Sequence, residues 1–148
     1  MTKRLKNKAI ITAALTGAIH TPSMSPYLPV TPRQLIDEAL AVHAAGGAVA
    51  HLHVRDPQSG IPTADQDVFR EIATEVKKQC DIILCFTTGG RLGEPVEKRV
   101  KVVSTLKPEM ASLNAGSLNF ALFHVADKFK DWKFDWEKKA TKGKMLSI

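Results

Sequence analysis

The sequence has little cysteine and no long apolar run, and each shortage excludes a class of protein. Cys80 and Cys85 are the only cysteines among 148 residues. Since they lie five positions apart in an apolar stretch, they form neither a CxxC metal motif nor a disulfide framework, which favours a reducing, cytoplasmic setting. The N-terminus is charged and lacks the apolar core of a signal peptide. No run reaches about 18 apolar residues, so the sequence predicts no membrane-spanning helix.

Acidic residues are also in short supply, because 15 of them are outnumbered by 21 lysines and arginines, which leaves a formal net charge of +6. The basic residues are densest between Lys128 and Lys144, where acidic residues interrupt them. Such mixed charge is typical of a solvated surface segment, and we expect Trp132 and Trp136 within it to pack against the body rather than stack on bases. We therefore expect no nucleic-acid partner, and a carboxylated or phosphorylated small molecule instead.

Apolar strand-like segments alternate with helical patterns along the chain. The predicted strands are residues 9–16, 48–54, 82–86 and 110–113, and the predicted helices between them are residues 32–45, 65–79 and 94–106. Thr31 followed by Pro32 marks the start of the first helix. This order indicates a parallel α/β sheet, either an open doubly wound sheet or the first half of a (β/α)₈ barrel. In both architectures ligands bind at the carboxyl ends of the strands.

His51 and His53 lie at the end of the second predicted strand and are the sharpest chemical signal in the sequence. Because side chains alternate across a strand, both imidazoles point to one face and can bind a single metal ion. The alternative is a pair of hydrogen-bonded histidines that line a polar cleft. A catalytic zinc ion needs about three protein ligands, and no third is evident nearby. Asp56 is close in sequence, but it lies in a predicted turn where Arg55 is a candidate partner.

Two polar loops follow the third and fourth predicted strands. The first, from Thr87 to Gly90, combines hydroxyl donors with glycines that let backbone N–H groups approach a carboxylate or phosphate. A tight turn without a ligand is the alternative for this loop. In the second loop, Asn114 and Ser117 can orient a carboxylate or cap the next helix.

Four segments of the sequence together resemble the β-keto acid cleavage enzyme family. They occur in the family's order and at similar spacings, from about Lys8 to about Glu137, and their combination is specific although each is weak alone. The matching segments are residues 11–18 (ITAALTGA), 51–57 (HLHVRDP), 87–90 (TTGG) and 107–120 (KPEMASLNAGSLNF).

The resemblance implies a zinc-dependent (β/α)₈, or TIM, barrel that takes a β-keto acid and acetyl-CoA and releases acetoacetate and a new acyl-CoA. Such an enzyme is a C–C bond-cleaving acyltransferase and commonly a homo-oligomer. His51 and His53 match the family's zinc-binding histidines, and the ion would act as a Lewis acid on the keto group. The residues that match the family's substrate site are Thr87, Gly89, Gly90, Asn114 and Ser117.

One departure from the family pattern concerns the substrate. In family members that act on an aminated substrate, a glutamate in the loop after the first strand holds the substrate ammonium. Ile19 occupies that position in this sequence, and His20 follows it. Since an isoleucine side chain cannot pair with an ammonium group, we expect a β-keto acid with an uncharged or differently charged side chain.

The second departure is length. A complete (β/α)₈ barrel needs about 250 residues, so 148 residues correspond to about the first four βα units. We interpret residues 1–138 as the N-terminal half of the barrel domain and residues 139–148 as a tail that no longer resembles the family. The third zinc ligand and the proton-transfer groups are expected in the other half, so we expect this chain alone to be catalytically inactive or strongly impaired. The competing hypothesis is a small α/β domain that binds an anion without chemistry.

Overall fold

The structure, a computed structural model, describes residues 8–89, 94–114, 119–120, 127–142 and 146–147. Its strands are β1 (Thr12–Ala14), β2 (Val49–Leu52), β3 (Val54–Arg55), β4 (Pro62–Thr63), β5 (Ile83–Phe86), β6 (Met110–Ala111), β7 (Asn119–Phe120) and β8 (Leu146–Ser147). The helices are α1 (Pro32–Ala44), α2 (Gln66–Gln79), α3 (Val96–Leu106) and α4 (Asp135–Lys142). Within these ranges no helix is long and apolar enough to cross a membrane.

Four parallel strands form the main sheet in the order β1-β2-β5-β6. Ala14 is in register with His51, which is in turn in register with Cys85. The strands lie side by side in the order in which they occur in the chain, whereas a doubly wound sheet reverses its order at a switch point. The sheet is therefore wound in one direction, as in a (β/α)₈ barrel, and the described residues form about four of its units.

The second predicted strand is interrupted at His53. β2 ends at Leu52, after which β3 pairs antiparallel with β4 and forms a short hairpin. The tip of this hairpin is a turn from Asp56 to Gly60, in which Gly60 N donates to Asp56 O at 2.8 Å. Gly60 has a φ of +70°, a left-handed conformation that glycine adopts at little cost. The alternating pattern of residues 48–54 did not reveal this break in the strand.

Helix α1 begins at its predicted first residue, and α2 begins one residue after its predicted start at Asp65. Thr31 Oγ1 accepts a hydrogen bond from Gln34 N at 3.3 Å, and Gln34 Oε1 accepts one from Thr31 N at 3.0 Å. The two bonds form a capping box in front of Pro32. Asp65 caps α2 by accepting a hydrogen bond from Asp67 N at 2.9 Å. These caps fix the ends of two helices that cover the sheet.

Helix α4 lies in the basic segment and was not predicted from the sequence. Trp136 Nε1 donates to Ser59 O at 2.9 Å, which confirms that this segment packs against the body of the protein. Lys133 N donates to Ser23 Oγ at 2.8 Å and adds a second link. The helix runs across residues 138 and 139, where the sequence analysis places the end of the barrel half.

The apolar core lies between the sheet and helices α1 to α3. Leu52 on β2 and Phe86 on β5 belong to it, whereas His51 and Cys85, one position before each, belong to the opposite face. The rings of Phe69 and Phe86 lie 4.9 Å apart between centroids. Fully burying such a side chain contributes about 1.5–3 kcal/mol. The core residues are Leu35, Ile36, Ala39, Ala50, Leu52, Val54, Phe69, Ile72, Val76, Ile82, Leu84, Phe86 and Val102.

Candidate active site

The two histidines at the end of β2 converge. The rings of His51 and His53 lie 5.0 Å apart between centroids and are nearly perpendicular, at 88°. Their Nε2 atoms are 3.2 Å apart. Two zinc–nitrogen bonds of about 2.05 Å at a tetrahedral angle place the nitrogens about 3.3 Å apart. The pair therefore has the spacing of two ligands of one ion.

The surroundings favour the neutral form of both imidazoles, which is the form that binds a metal ion. Burial lowers the pKa of His51, and its hydrogen bond to Cys85 opposes that shift. Burial, followed by the nearby charges of His51 and Arg55, lowers the pKa of His53 to about 4. His51 Nδ1 lies 3.1 Å from Cys85 O, so Nδ1–H donates to the carbonyl and Nε2 keeps its lone pair.

Asp56 does not join the histidines. Its Oδ1 accepts hydrogen bonds from Ser59 N and Ser59 Oγ, both at 2.7 Å. These bonds lower the pKa of the Asp56 carboxyl. The prediction that Asp56 pairs with Arg55 is therefore wrong, because the carboxylate caps its own turn. In the described part of the chain, no three His, Cys, Asp or Glu side chains form a group that could hold a metal ion.

The loop after β5 lies beside the histidine pair. Thr87 Oγ1 accepts a hydrogen bond from Gly89 N at 3.0 Å, and Arg99 Nη1 donates to Gly89 O at 2.8 Å. A methyl group built on Gly89 would lie 3.3 Å from Thr87 Oγ1, 3.8 Å from Asn114 Nδ2 and 4.0 Å from His53 Cε1. Residues from three strand ends therefore surround one small space next to the Gly89 backbone.

Thr88 fastens this loop to the neighbouring strand end. Thr88 N donates to Ser112 Oγ at 3.0 Å, and Thr88 Oγ1 donates to Ser112 O at 2.8 Å. These two bonds join the segment after β5, which carries Thr87, to the segment after β6, which carries Asn114. Because a hydroxyl group can accept and donate at the same time, Thr87 Oγ1 can accept from Gly89 N and also donate to a ligand.

Five of the seven predicted site residues are brought together by the fold: His51, His53, Thr87, Gly89 and Asn114. The other two, Gly90 and Ser117, lie outside the described residues. Assignment of the histidines as zinc ligands and of the other residues as substrate contacts stays a prediction.

The loop after β1 leaves the sheet next to the histidine pair, because Ala14 is in register with His51 and Leu15 N donates to His51 O at 3.2 Å. Ile19 in this loop is half-buried, and His20 is exposed. The position that differs from the aminated-substrate pattern is therefore on a loop at the same end of the sheet as the candidate site.

Arg55 and Glu137 are buried charged residues whose structural role the sequence analysis missed. Both side chains are fully buried, with 0% of their surface exposed. Burial lowers the pKa of Arg55 to about 10, and the carboxylate of Glu137 opposes that shift. The sequence signal that could have revealed the role of Arg55 was its position two residues after His53. Glu137 gave none, because it lies in a run of mixed charges.

Curated proteins of known activity are similar to most of this chain. The chain is 53% identical over 134 residues to a 3,5-dioxohexanoate:acetyl-CoA acetone transferase of Paraburkholderia graminis. The match covers 90% of this chain and 43% of the relative. It is 42% identical over 114 residues to a 3-keto-5-aminohexanoate cleavage enzyme of Acetoanaerobium sticklandii, which covers 76% of this chain and 41% of the relative. The chain thus spans less than half the length of these relatives.

Solved structures share the fold. Apo ObcA matches with a TM-score of 0.56 and 29% identity over 65% of this chain and 24% of its own. The complex of ObcA with oxaloacetate matches with a TM-score of 0.56 and 27% identity, and the match covers 65% of this chain and 25% of the ObcA chain. With the parallel sheet, these matches confirm the predicted barrel class. A model of the β-keto acid cleavage enzyme family matches residues 8–145, and the chain therefore belongs to the β-keto acid cleavage enzyme family.

Proposed function

We propose that this chain carries the metal-binding and carboxylate-binding part of an active site that cleaves β-keto acids with acetyl-CoA. The products would be acetoacetate and a new acyl-CoA. The observation that carries the proposal is the approach of His51 Nε2 to His53 Nε2, 3.2 Å apart, beside Gly89 and Asn114. The names of two relatives support the reaction class, since 3,5-dioxohexanoate and 3-keto-5-aminohexanoate are both β-keto acids.

Each residue of the site has a distinct task in this proposal. His51 and His53 would hold a zinc ion, which supplies Lewis-acid polarisation of a keto oxygen when it is bound. Cys85 O holds His51 in the tautomer whose Nε2 is free to act as a ligand. The Thr87 hydroxyl and the Asn114 amide would donate hydrogen bonds to the substrate carboxylate. Hydrogen bonds to a charged group contribute about 1.5–3 kcal/mol each.

The substrate that we propose is a β-keto acid with an uncharged far end. Ile19 is half-buried and offers apolar contact without a counter-charge. An ammonium group placed against it would lose water without gaining a partner, at a cost of about 1–3 kcal/mol or more. The relative at 53% identity is named for 3,5-dioxohexanoate, whose fifth carbon carries a keto group rather than an amino group.

Metal content tests the histidine pair directly. The wild-type chain, His51→Ala and His53→Ala are equilibrated with zinc and compared by atomic emission and by competition with a chromogenic chelator. His43→Ala is the matched control, because the side chain of His43 is 41% exposed on α1 and lies 3.8 Å from Asp81. We expect zinc affinity to fall about tenfold or more in the first two variants and to be unchanged in the control. Equal zinc binding by all four proteins would contradict the proposal.

Product analysis tests the reaction and the substrate. The zinc-loaded chain is incubated with acetyl-CoA and either 3,5-dioxohexanoate or 3-keto-5-aminohexanoate, and acetoacetate is quantified. We expect at most slow turnover, because the described residues supply two metal ligands rather than a group of three. Any acetoacetate should form mainly from the first substrate, because Ile19 offers no counter-charge to an ammonium group. Preference for the amino compound would overturn the substrate assignment. Absence of acetoacetate with either compound, together with no binding of either compound in calorimetric titration, would overturn the reaction.

A further inference from the structure

Two buried charges hold the segment that links β1 to α1, here called the β1–α1 loop and comprising residues 15–31. Arg55 lies in the hairpin after β2, and Glu137 lies in helix α4. Neither side chain contributes to the metal and carboxylate site described above. Each is fully buried, and a charge is buried in proteins only when hydrogen bonds or an opposite charge compensate it.

Arg55 is committed to the first part of this loop. Its Nε donates to Thr16 Oγ1 at 3.0 Å, and its Nη2 donates to Gly17 O at 2.8 Å and to His20 O at 2.7 Å. The remaining bond runs from Nη1 to Gly60 O in the hairpin turn, at 2.8 Å. A planar guanidinium fixes several acceptors in one geometry, so the loop and the hairpin are locked to each other.

Glu137 holds the next part of the same loop. Its Oε2 accepts a hydrogen bond from Ser23 N at 2.9 Å, and its Oε1 accepts one from Phe134 N at 3.1 Å. Lys133 N donates to Ser23 Oγ, so the chain just before α4 contacts the loop at the same residue. The start of α4 is therefore bonded to a loop more than 100 positions earlier in the sequence.

The position of this loop gives the two charges a consequence for binding. The loop leaves the sheet beside His51, and it contains Ile19 between Gly17 and His20, whose carbonyl groups Arg55 binds, while Glu137 binds Ser23 further along the loop. Both ends of the stretch from Thr16 to Ser23 are thereby fixed. The location of Ile19 relative to the candidate site depends on those bonds.

We propose that Glu137 and Arg55 are positioning residues, which hold the β1–α1 loop in the conformation that selects the side chain of the ligand. Helix α4 then acts on ligand selectivity through the loop without touching the ligand. This inference rests on the proposed function for the identity of the ligand, but the positioning of the loop does not depend on it.

The test compares Glu137→Gln with the wild-type chain, and Asp135→Asn, an exposed acid in the same helix, is the matched control. The first measurement is amide hydrogen exchange in residues 16–24. The second is calorimetric titration of the zinc-loaded chain with acetoacetate and with 3-oxohexanoate, a β-keto acid with a longer chain. In Glu137→Gln we expect about tenfold faster exchange in the loop, about tenfold weaker binding of 3-oxohexanoate and little change for acetoacetate or zinc.

These outcomes separate positioning from general loss of structure. Exchange as slow as in the wild type, or an equal loss of affinity for both keto acids, would overturn the inference. If the wild-type chain binds neither keto acid, the proposed function fails, and the exchange rates alone decide whether Glu137 positions the loop. If Glu137→Gln does not fold, Arg55→Lys decides instead, because a lysine ammonium cannot reproduce the bonds from Arg55 to Thr16, Gly17 and His20, so exchange and selectivity should change in the same direction.

Discussion

Gly89 has no side chain at the point where His53, Thr87 and Asn114 approach each other. A methyl group there would lie 3.3 Å from Thr87 Oγ1, closer than ordinary van der Waals contact, and 3.8 Å from Asn114 Nδ2. Gly89→Ala should therefore fill the space that we assign to the substrate carboxylate. We expect the affinity of the zinc-loaded chain for acetoacetate to fall about tenfold, because the carboxylate loses hydrogen bonds to both donors.

The measurement is calorimetric titration, with zinc content determined in parallel. Zinc binding should be unchanged in Gly89→Ala, since the new methyl would lie 4.0 Å from His53 Cε1, an ordinary contact distance. Leu113→Ala, which shortens a side chain that is 89% exposed next to Asn114, provides the control. Wild-type affinity for acetoacetate in Gly89→Ala would exclude the carboxylate from this space.

The position of a side chain can be predicted from the sequence where local geometry sets it, and cannot where distant contacts set it. His51 and His53 were predicted to share a face because the period of a strand is a local property. The partners of Arg55 were not predicted, because Thr16 and His20 are 39 and 35 positions away and no local pattern links them. The hydrogen bond between Glu137 and Ser23 was not predicted for the same reason, because the two residues are 114 positions apart.

The turn from Asp56 to Gly60 should make the thermal stability of the protein depend on pH. Hydrogen bonds from Ser59 lower the pKa of the Asp56 carboxyl in the folded state. A carboxyl with a lowered folded-state pKa stabilises the protein at neutral pH, and this contribution is lost as the pH falls through that pKa. Asp56→Asn should therefore unfold at a lower temperature than the wild type at pH 7, and the gap should close at about pH 2.

Thermal unfolding followed by circular dichroism at the two pH values measures this gap. The prediction concerns the difference between the two proteins, since other carboxyl groups also titrate over this range and affect both alike. A gap of the same size at both pH values would show that the ionised carboxylate adds nothing to the turn beyond what the amide supplies.

Elements with local signals were predicted, and elements defined by distant contacts were not. The start of α1 was predicted from Thr31 and Pro32, and the structure adds a capping box between Thr31 and Gln34. The hairpin of β3 and β4 requires pairing across the Asp56–Gly60 turn and left no alternating signature. Helix α4 lies in a segment of mixed charge, and it is fixed by the tertiary contacts of Glu137 and Trp136.

In the whole molecule, the main sheet ends at two edges among the described residues, β1 and β6. Apolar side chains are exposed at both: Ile11 is 61% exposed just before β1, and Leu113 is 89% exposed just after β6. A closed (β/α)₈ barrel has no edge, because its first and last strands pair. No strand in the described ranges pairs with the outer edge of β1 or of β6, and these edges are where a strand from another molecule would pair.

We expect the 148-residue chain to self-associate through these edges. Ile11→Lys should shift the chain towards the monomer, because a charge at an edge strand opposes pairing with a second strand. Ile11 O accepts hydrogen bonds from Ala48 N and Val49 N, and the substitution leaves these backbone bonds in place.

Tyr27→Lys is the control, since it adds the same charge at a side chain that is 89% exposed in the β1–α1 loop. Size-exclusion chromatography with light scattering over a range of concentrations measures the mass. A monomeric wild-type chain at all concentrations, or equal association of both variants, would show that the edge at β1 is not the surface that joins the copies.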